Sequence, residues 1–120
     1  VTVLDASAVL AFLQGEAGAD RVEEALEDAA IGAANWSEVA QKVRQRGADW
    51  PLAAKLLSSY GLAVEPVTAE DAERAALLWR TGSGLSLADR LCLALTGRLG
   101  GPVLTADQAW GSDDTVIQIR

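Results

Sequence analysis

The chain has 120 residues, half of them hydrophobic, with 10 basic against 17 acidic side chains and a formal charge of −7. That length holds one domain with a real core and excludes two, the apolar content excludes disorder, and the acidic balance argues against broad electrostatic capture of nucleic acid. Histidine is absent, which excludes Ser-His-Asp and Cys-His nucleophiles and His-based zinc sites within the chain, so its chemistry must rest on carboxylates.

In chain order, Val1 to Asp5 is a short apolar run ending in an acid. Ala6 to Leu13 continues with Val9, Phe12 and Leu13 at helical spacing until Gln14-Gly15 stops it. A strand at the start leaves no room for a signal peptide, and no run of about 18 apolar residues exists, so a cytoplasmic protein without a membrane segment is expected. Ala19 to Asp28 reads as a surface helix, with Val22, Ala25, Leu26 and Ala29 on one face and Glu23, Glu24 and Glu27 outward. Ala30 to Ala34 is a strand of small residues, inferred mainly from the helices that flank it.

Asn35 is the expected N-cap of the next helix, with Glu38 three residues on and Trp36, Val39, Ala40 and Val43 as its buried stripe, ending near Gly47. Asp49 and Pro51 open another helix, which carries Ala53, Leu56, Leu57 and Tyr60 on one side and closes at Gly61. Leu62 to Val67 is the third strand. Thr68 and Asp71 have the spacing of a capping box, and Ala72, Ala75, Ala76 and Trp79 supply the apolar stripe of a helix running to about Arg80.

Leu85 to Trp110 reads as helix, tight turn, buried strand and acidic loop. Ala88, Leu91, Cys92, Leu95 and Leu99 recur at helical spacing, Gly100-Gly101 ends the helix, and Pro102-Val103-Leu104 restarts the chain as a strand with Asp107 just beyond it. The single cysteine, Cys92, lies on the apolar face and reads as a buried thiol. Thr115 to Ile119 is a last, edge strand. This alternation predicts one α/β domain over residues 1–120, with a central parallel sheet of four to five strands and helices on both faces.

Four carboxylates stand out by position. Asp5 and Asp107 follow strands, while Glu38 and Asp89 fall in first turns of helices. In open α/β sheets the carboxyl ends of strands and the N-termini of the returning helices share one edge, where ligands bind. At about 5 Å and an effective dielectric near 20, each like-charged pair costs roughly 3 kcal/mol, so four converging acids need protons or a counterion. No lysine or histidine is placed by the sequence beside them, and a hard divalent cation such as Mg²⁺ or Mn²⁺ is the natural balance.

Each acid alone also has an ordinary structural explanation. Glu38 and Asp89 can be capping-box acids, as Asp71 is expected to be, and Asp113 and Asp114 read as a solvated loop. Ser7 and Thr105 are placed to orient the acids by hydrogen bonds or to serve as turn hydroxyls. Lys42 lies one turn beyond Glu38, where a solvated i,i+4 pair is expected ahead of a phosphate contact. Trp36, Trp50, Trp79 and Trp110 are expected in core or interface rather than as base-stacking platforms.

Taken in order, VLDASAVLAFL, NWSEVAQKV, LSLADRLCLAL and VLTADQAW resemble the PIN-domain family, and within it the VapC-type toxins of bacterial toxin-antitoxin pairs, over nearly the whole chain. The resemblance implies a Mg²⁺- or Mn²⁺-dependent endoribonuclease with RNA as substrate. It makes Asp5, Glu38, Asp89 and Asp107 the metal-binding and catalytic acids, with Ser7 and Thr105 in support. It further implies a homodimer held inactive by a cognate VapB-type antitoxin, whose basic segment would suit an acidic cleft. The helices over 36–46 and 52–60 are candidates for a dimer seam or a partner groove, beside their use in the core.

Other classes fit less well. A phosphoacceptor receiver domain needs an acid at the end of the third strand and a late lysine, but that strand ends Pro66-Val67-Thr68 and no lysine follows Lys55. A D-x-D phosphohydrolase needs a second acid where Ser7 stands. A housekeeping PIN nuclease of RNA processing and an inactive PIN-like binding scaffold remain as alternatives.

Overall fold

The computed structural model describes residues 1–120. Its elements are β1 (Thr2–Leu4), α1 (Ala6–Gln14), α2 (Ala19–Ala25), β2 (Ala29–Gly32), α3 (Ala33–Gln45), α4 (Trp50–Tyr60), β3 (Ala63–Glu65), α5 (Ala69–Leu77), α6 (Leu87–Leu99), β4 (Val103–Thr105) and β5 (Val116–Gln118). The five strands form one all-parallel sheet in the order β3-β2-β1-β4-β5. Because β1 is central, Val3 and Leu4 are fully buried.

Alternation along the strands sends side chains into two cores. Leu4, Ile31 and Leu104 point into a cluster of 16 buried residues built with α1 to α4, whereas Val3, Val103 and Val116 meet Cys92 and Leu95 of α6 on the opposite face. On the α6 side β2 carries only the small residues Ala30 and Gly32, because α6 lies close: a Cβ on Gly32 would already touch Leu95 Cδ2 at 3.4 Å. Gly101, entering β4, has no room for a side chain, since a Cβ there would overlap the Val1 carbonyl.

Several local expectations are corrected. Asn35 is not an N-cap: α3 begins at Ala33 behind Gly32, an extended residue that ends β2 and caps the helix without a side-chain bond. Ala29 belongs to β2, and the end of the preceding helix tightens into a 3-10 turn over Leu26–Asp28. The third strand is shorter than Leu62–Val67. It pairs only with β2, Pro66 offers no N–H to continue the ladder, and Val64 and Val67 are exposed.

α5 also stops early, at Leu77, and Ala72, Ala76 and Trp79 face solvent. Its buried line runs through Asp71 and Ala75 instead, because the Asp71 carboxylate turns inward to α6. Arg98 grips it bidentately, Nε to Oδ1 and Nη2 to Oδ2, both at 3.0 Å. Arg90 Nη1 adds a 2.9 Å bond to the Ala75 carbonyl.

Candidate active site

A sheet ordered 3-2-1-4-5 has its topological switch between β1 and β4, and ligands bind outside the carboxyl ends of the strands at such a point. Asp5 leaves β1 there and Thr105 ends β4 there. Asp5 is the N-cap of α1, with Oδ1 accepting from Ala8 N at 2.8 Å. Thr105 Oγ1 donates to Asp5 Oδ2 at 2.6 Å, and Ser7 Oγ lies 2.7 and 2.9 Å from the two carboxylate oxygens. Ser7 Oγ in turn accepts from Ala106 N at 2.8 Å, which ties the start of α1 to the end of β4.

Asp5 is 3 % exposed and takes part in none of the ion pairs of the chain. Burial raises its pKa from 3.8 to about 6; hydrogen bonds from Thr105, Ala8 and Ser7 oppose that rise and the charge of Asp89 adds to it. The same field reaches the Cys92 thiol behind the site. Its pKa is pushed well up, first by burial and then by the charges of Asp5, Asp89 and Glu38. These three acids therefore act on one small volume around that thiol.

Asn35 holds that volume together, and sequence reasoning gave it the wrong role. It is 2 % exposed, its Oδ1 accepts from Ala6 N at 3.0 Å, and its Nδ2 donates to the Ala88 carbonyl at 3.1 Å. One side chain thus fastens the N-termini of α1, α3 and α6. Asp5 and Asp89 sit at the first and last of these, whereas Glu38, expected in a first turn, lies in the second turn of α3 because that helix starts at Ala33. The signal was present: Asn35, Val39 and Val43 are the buried residues of α3 at a spacing of four, and a polar residue heading an apolar stripe needs buried partners.

Asp89 makes the capping box expected of it, with Ser86 N donating to Oδ2 at 2.9 Å and Asp89 N donating to Ser86 Oγ at 3.1 Å. Glu38 is half-buried and makes one ionic contact, 3.9 Å to Lys42. Asp107 is the outlying acid. It is exposed on the rim, its Oδ1 caps a 3-10 turn by accepting from Ala109 N, and it reaches Asp5 only through its backbone N–H on Thr105 Oγ1. Asp113 lies in the β4–β5 loop, accepting from the backbone of Thr115 and Val116, and these bonds lower its pKa.

No three carboxylates stand close enough together to cage an ion. Mg²⁺ seldom uses such a cage; it keeps several waters and is held by one or two carboxylates together with phosphate oxygens. An all-oxygen donor set around a buried carboxylate that lacks a cation fits that mode.

The family model described as PIN domain matches residues 2–112. Ribonuclease VapC42 of Mycobacterium tuberculosis is 36% identical over 132 aligned residues, covering 98% of this chain and 96% of the relative. Among solved structures, a toxin-antitoxin complex from Klebsiella pneumoniae superposes with a TM-score of 0.83 at 20% identity, covering 100% of this chain and 98% of that one. The sarcin-ricin loop cleaving toxin VapC20 of Mycobacterium tuberculosis follows at 0.72 and 19%, covering 95% and 98%. At those identities the two structures speak for the fold.

Proposed function

This chain belongs to the PIN-domain family and, within it, groups with the VapC ribonucleases; on that premise we propose that it is a divalent-metal-dependent endoribonuclease acting as the toxin of a toxin-antitoxin pair. The observation that carries the reading is Asp5: a buried carboxylate at the switch point, oriented by two hydroxyls, with a raised pKa and no internal cation. Bound there by Asp5, with Asp89, Glu38 and Asp107 as the other acids of the site, Mg²⁺ or Mn²⁺ would polarise a phosphate oxygen and acidify a water.

The protein's own part is positioning. Ser7 and Thr105 fix the plane of the Asp5 carboxylate, and Asn35 fixes the mutual placement of the helices that carry the acids. Glu38, held by one long contact to Lys42, is free to orient the attacking water as a general base.

Two surfaces suit the partners of such a toxin. Leu77, Trp79 and Leu87 are 83, 61 and 58 % exposed around the end of α5 and the start of α6, beside a hollow of about 760 Å³ whose wall joins Leu77, Leu78 and Leu93 to the charged Glu70, Glu73 and Arg74. This is the seam we assign to a homodimer, which leaves α3 and α4 the other use expected of them, a partner groove. A smaller hollow of about 290 Å³, bounded by Leu13, Val43, Leu52 and Leu56, suits an apolar segment of an antitoxin.

Expression of the chain in cells tests the reading. Growth should stop, new RNA ends should appear, and co-expression of the small protein encoded beside it should restore growth through a complex stable to size exclusion. Harmless expression of soluble, folded protein would contradict it.

A further inference from the structure

The nuclease reading leaves one question open on the surface: how a chain of charge −7 holds a polyanion. α3 and its C-cap present Glu38, Lys42 and Arg46 at intervals of four residues, one stripe along a single face. Opposite them stand Ser7 and Gln14 of α1, and Arg120 closes the far side, around a hollow of about 200 Å³. Three of the chain's ten cations meet in this one place. The hollow begins at the acids, since Ser7 holds Asp5 and Glu38 is itself part of the wall.

The cations are unequally occupied. Arg120 is pinned by bonds from Nη1 to the Ala17 carbonyl at 3.1 Å and to Glu16 at 3.4 Å. Lys42 is half-exposed and reaches Glu38 only at 3.9 Å. The Arg46 side chain makes no ion pair at all. Successive residues of the stripe are one helical turn apart, about 6 Å, which is comparable to the step between neighbouring phosphates of a nucleic-acid strand. No aromatic ring lines the hollow, so nothing there can stack a base.

We propose that the groove between α1 and α3 is a backbone subsite: it seats the sugar-phosphate chain of single-stranded RNA next to the scissile phosphate, with Lys42 and Arg46 each taking a phosphate. This rests on the nuclease reading and deepens it. Because the contacts are to phosphate, the subsite adds affinity without sequence preference. It also explains how an acidic protein can accept RNA, by a short cationic rail rather than by its overall field.

The test is binding of a fluorescent single-stranded RNA to the full chain bearing Asp5→Asn, followed against salt concentration, alone and with Arg46→Ala, Lys42→Ala or Lys55→Ala added. The log of the binding constant falls with log salt in proportion to the phosphates neutralised, by about 0.7 per contact for single strands. Arg46→Ala and Lys42→Ala should each flatten that slope by about one such step, equally for RNAs of different sequence, while Lys55→Ala on α4 leaves it alone. An unchanged slope, or a loss confined to certain sequences, would overturn the subsite. If the wild-type chain with Mn²⁺ still cuts the RNA in that case, the nuclease reading survives and only the subsite falls. If it neither binds nor cuts, both fall. Preference for polyglutamate over RNA would give the groove to an acidic protein segment and overturn the proposal.

Discussion

Two helices of this protein start with the same device and use it differently. Thr68 and Asp71 at α5, and Ser86 and Asp89 at α6, each form a complete capping box. Asp71 is then gripped bidentately by Arg98, which holds its carboxyl below the usual range. Asp89 has no such partner, and its charge instead helps to hold the pKa of Asp5 up. A capping acid with an internal cation is finished as structure. One without it, beside a second buried acid, is left on the proposed reading to take its cation from outside.

The largest effects should come from exchanging these fates. Asp89→Asn keeps an acceptor for the box but removes the charge. It should lower metal-dependent RNA cleavage by more than the about 10–100-fold typical of outer partners of a metal ligand, with little change in Tm. Asp71→Asn should do the reverse, leaving the rate near that of the wild type while Tm falls by several degrees, because Arg98 loses its charged partner. Cleavage assays and thermal melts on the two variants side by side read both halves.

The pH dependence should separate the acids next, with opposite signs. Between its ordinary pKa of 3.8 and about 6, Asp5 is protonated in the fold and ionised in the unfolded chain. The metal-free protein should therefore lose stability as pH rises through that window, by about 3 kcal/mol for two pK units. Asp71 has its pKa lowered, so its contribution is complete above pH 3.8 and disappears as pH falls through its folded value. Denaturant unfolding in EDTA from pH 4 to 7 should show the decline in the wild type and its absence in Asp5→Asn.

A smaller effect belongs to the fastener. Asn35→Ala leaves the buried Ala6 N–H without its partner, at about 1–3 kcal/mol, and removes the part-buried bond to the Ala88 carbonyl. Cleavage should fall with it, since α1, α3 and α6 then lose their common register. Unfolding and rate measurements on one preparation check the pair.

What could be read from the sequence was local. Both capping boxes span four residues, and Asp5 follows β1 and Thr105 ends β4, with Ser7 two residues beyond Asp5, so these placements were legible, as was the parallel sheet. The burial of Asn35 was signalled by its place in line with Val39 and Val43, but its partners were not, because they lie 29 and 53 residues away and a cap is the role its residue type suggests. The face of α5 was misjudged for a related reason. Ala72, Ala76 and Trp79 make a plausible stripe, but the Asp71–Arg98 pair, 27 residues apart, turns a different line inward. The hollow beside α3 was equally hidden, since Arg120 joins Lys42 and Arg46 only through the fold.

The central claim is that the acids without an internal cation recruit one and cut RNA with it. Its most direct test is the rate of cleavage of a fluorescent RNA as Mn²⁺ is titrated into the wild type and into Asp5→Asn. The account requires a saturable, metal-dependent rate in the wild type, abolished by EDTA and absent from Asp5→Asn. Cleavage that ignores the metal, or proceeds equally in the variant, would contradict it.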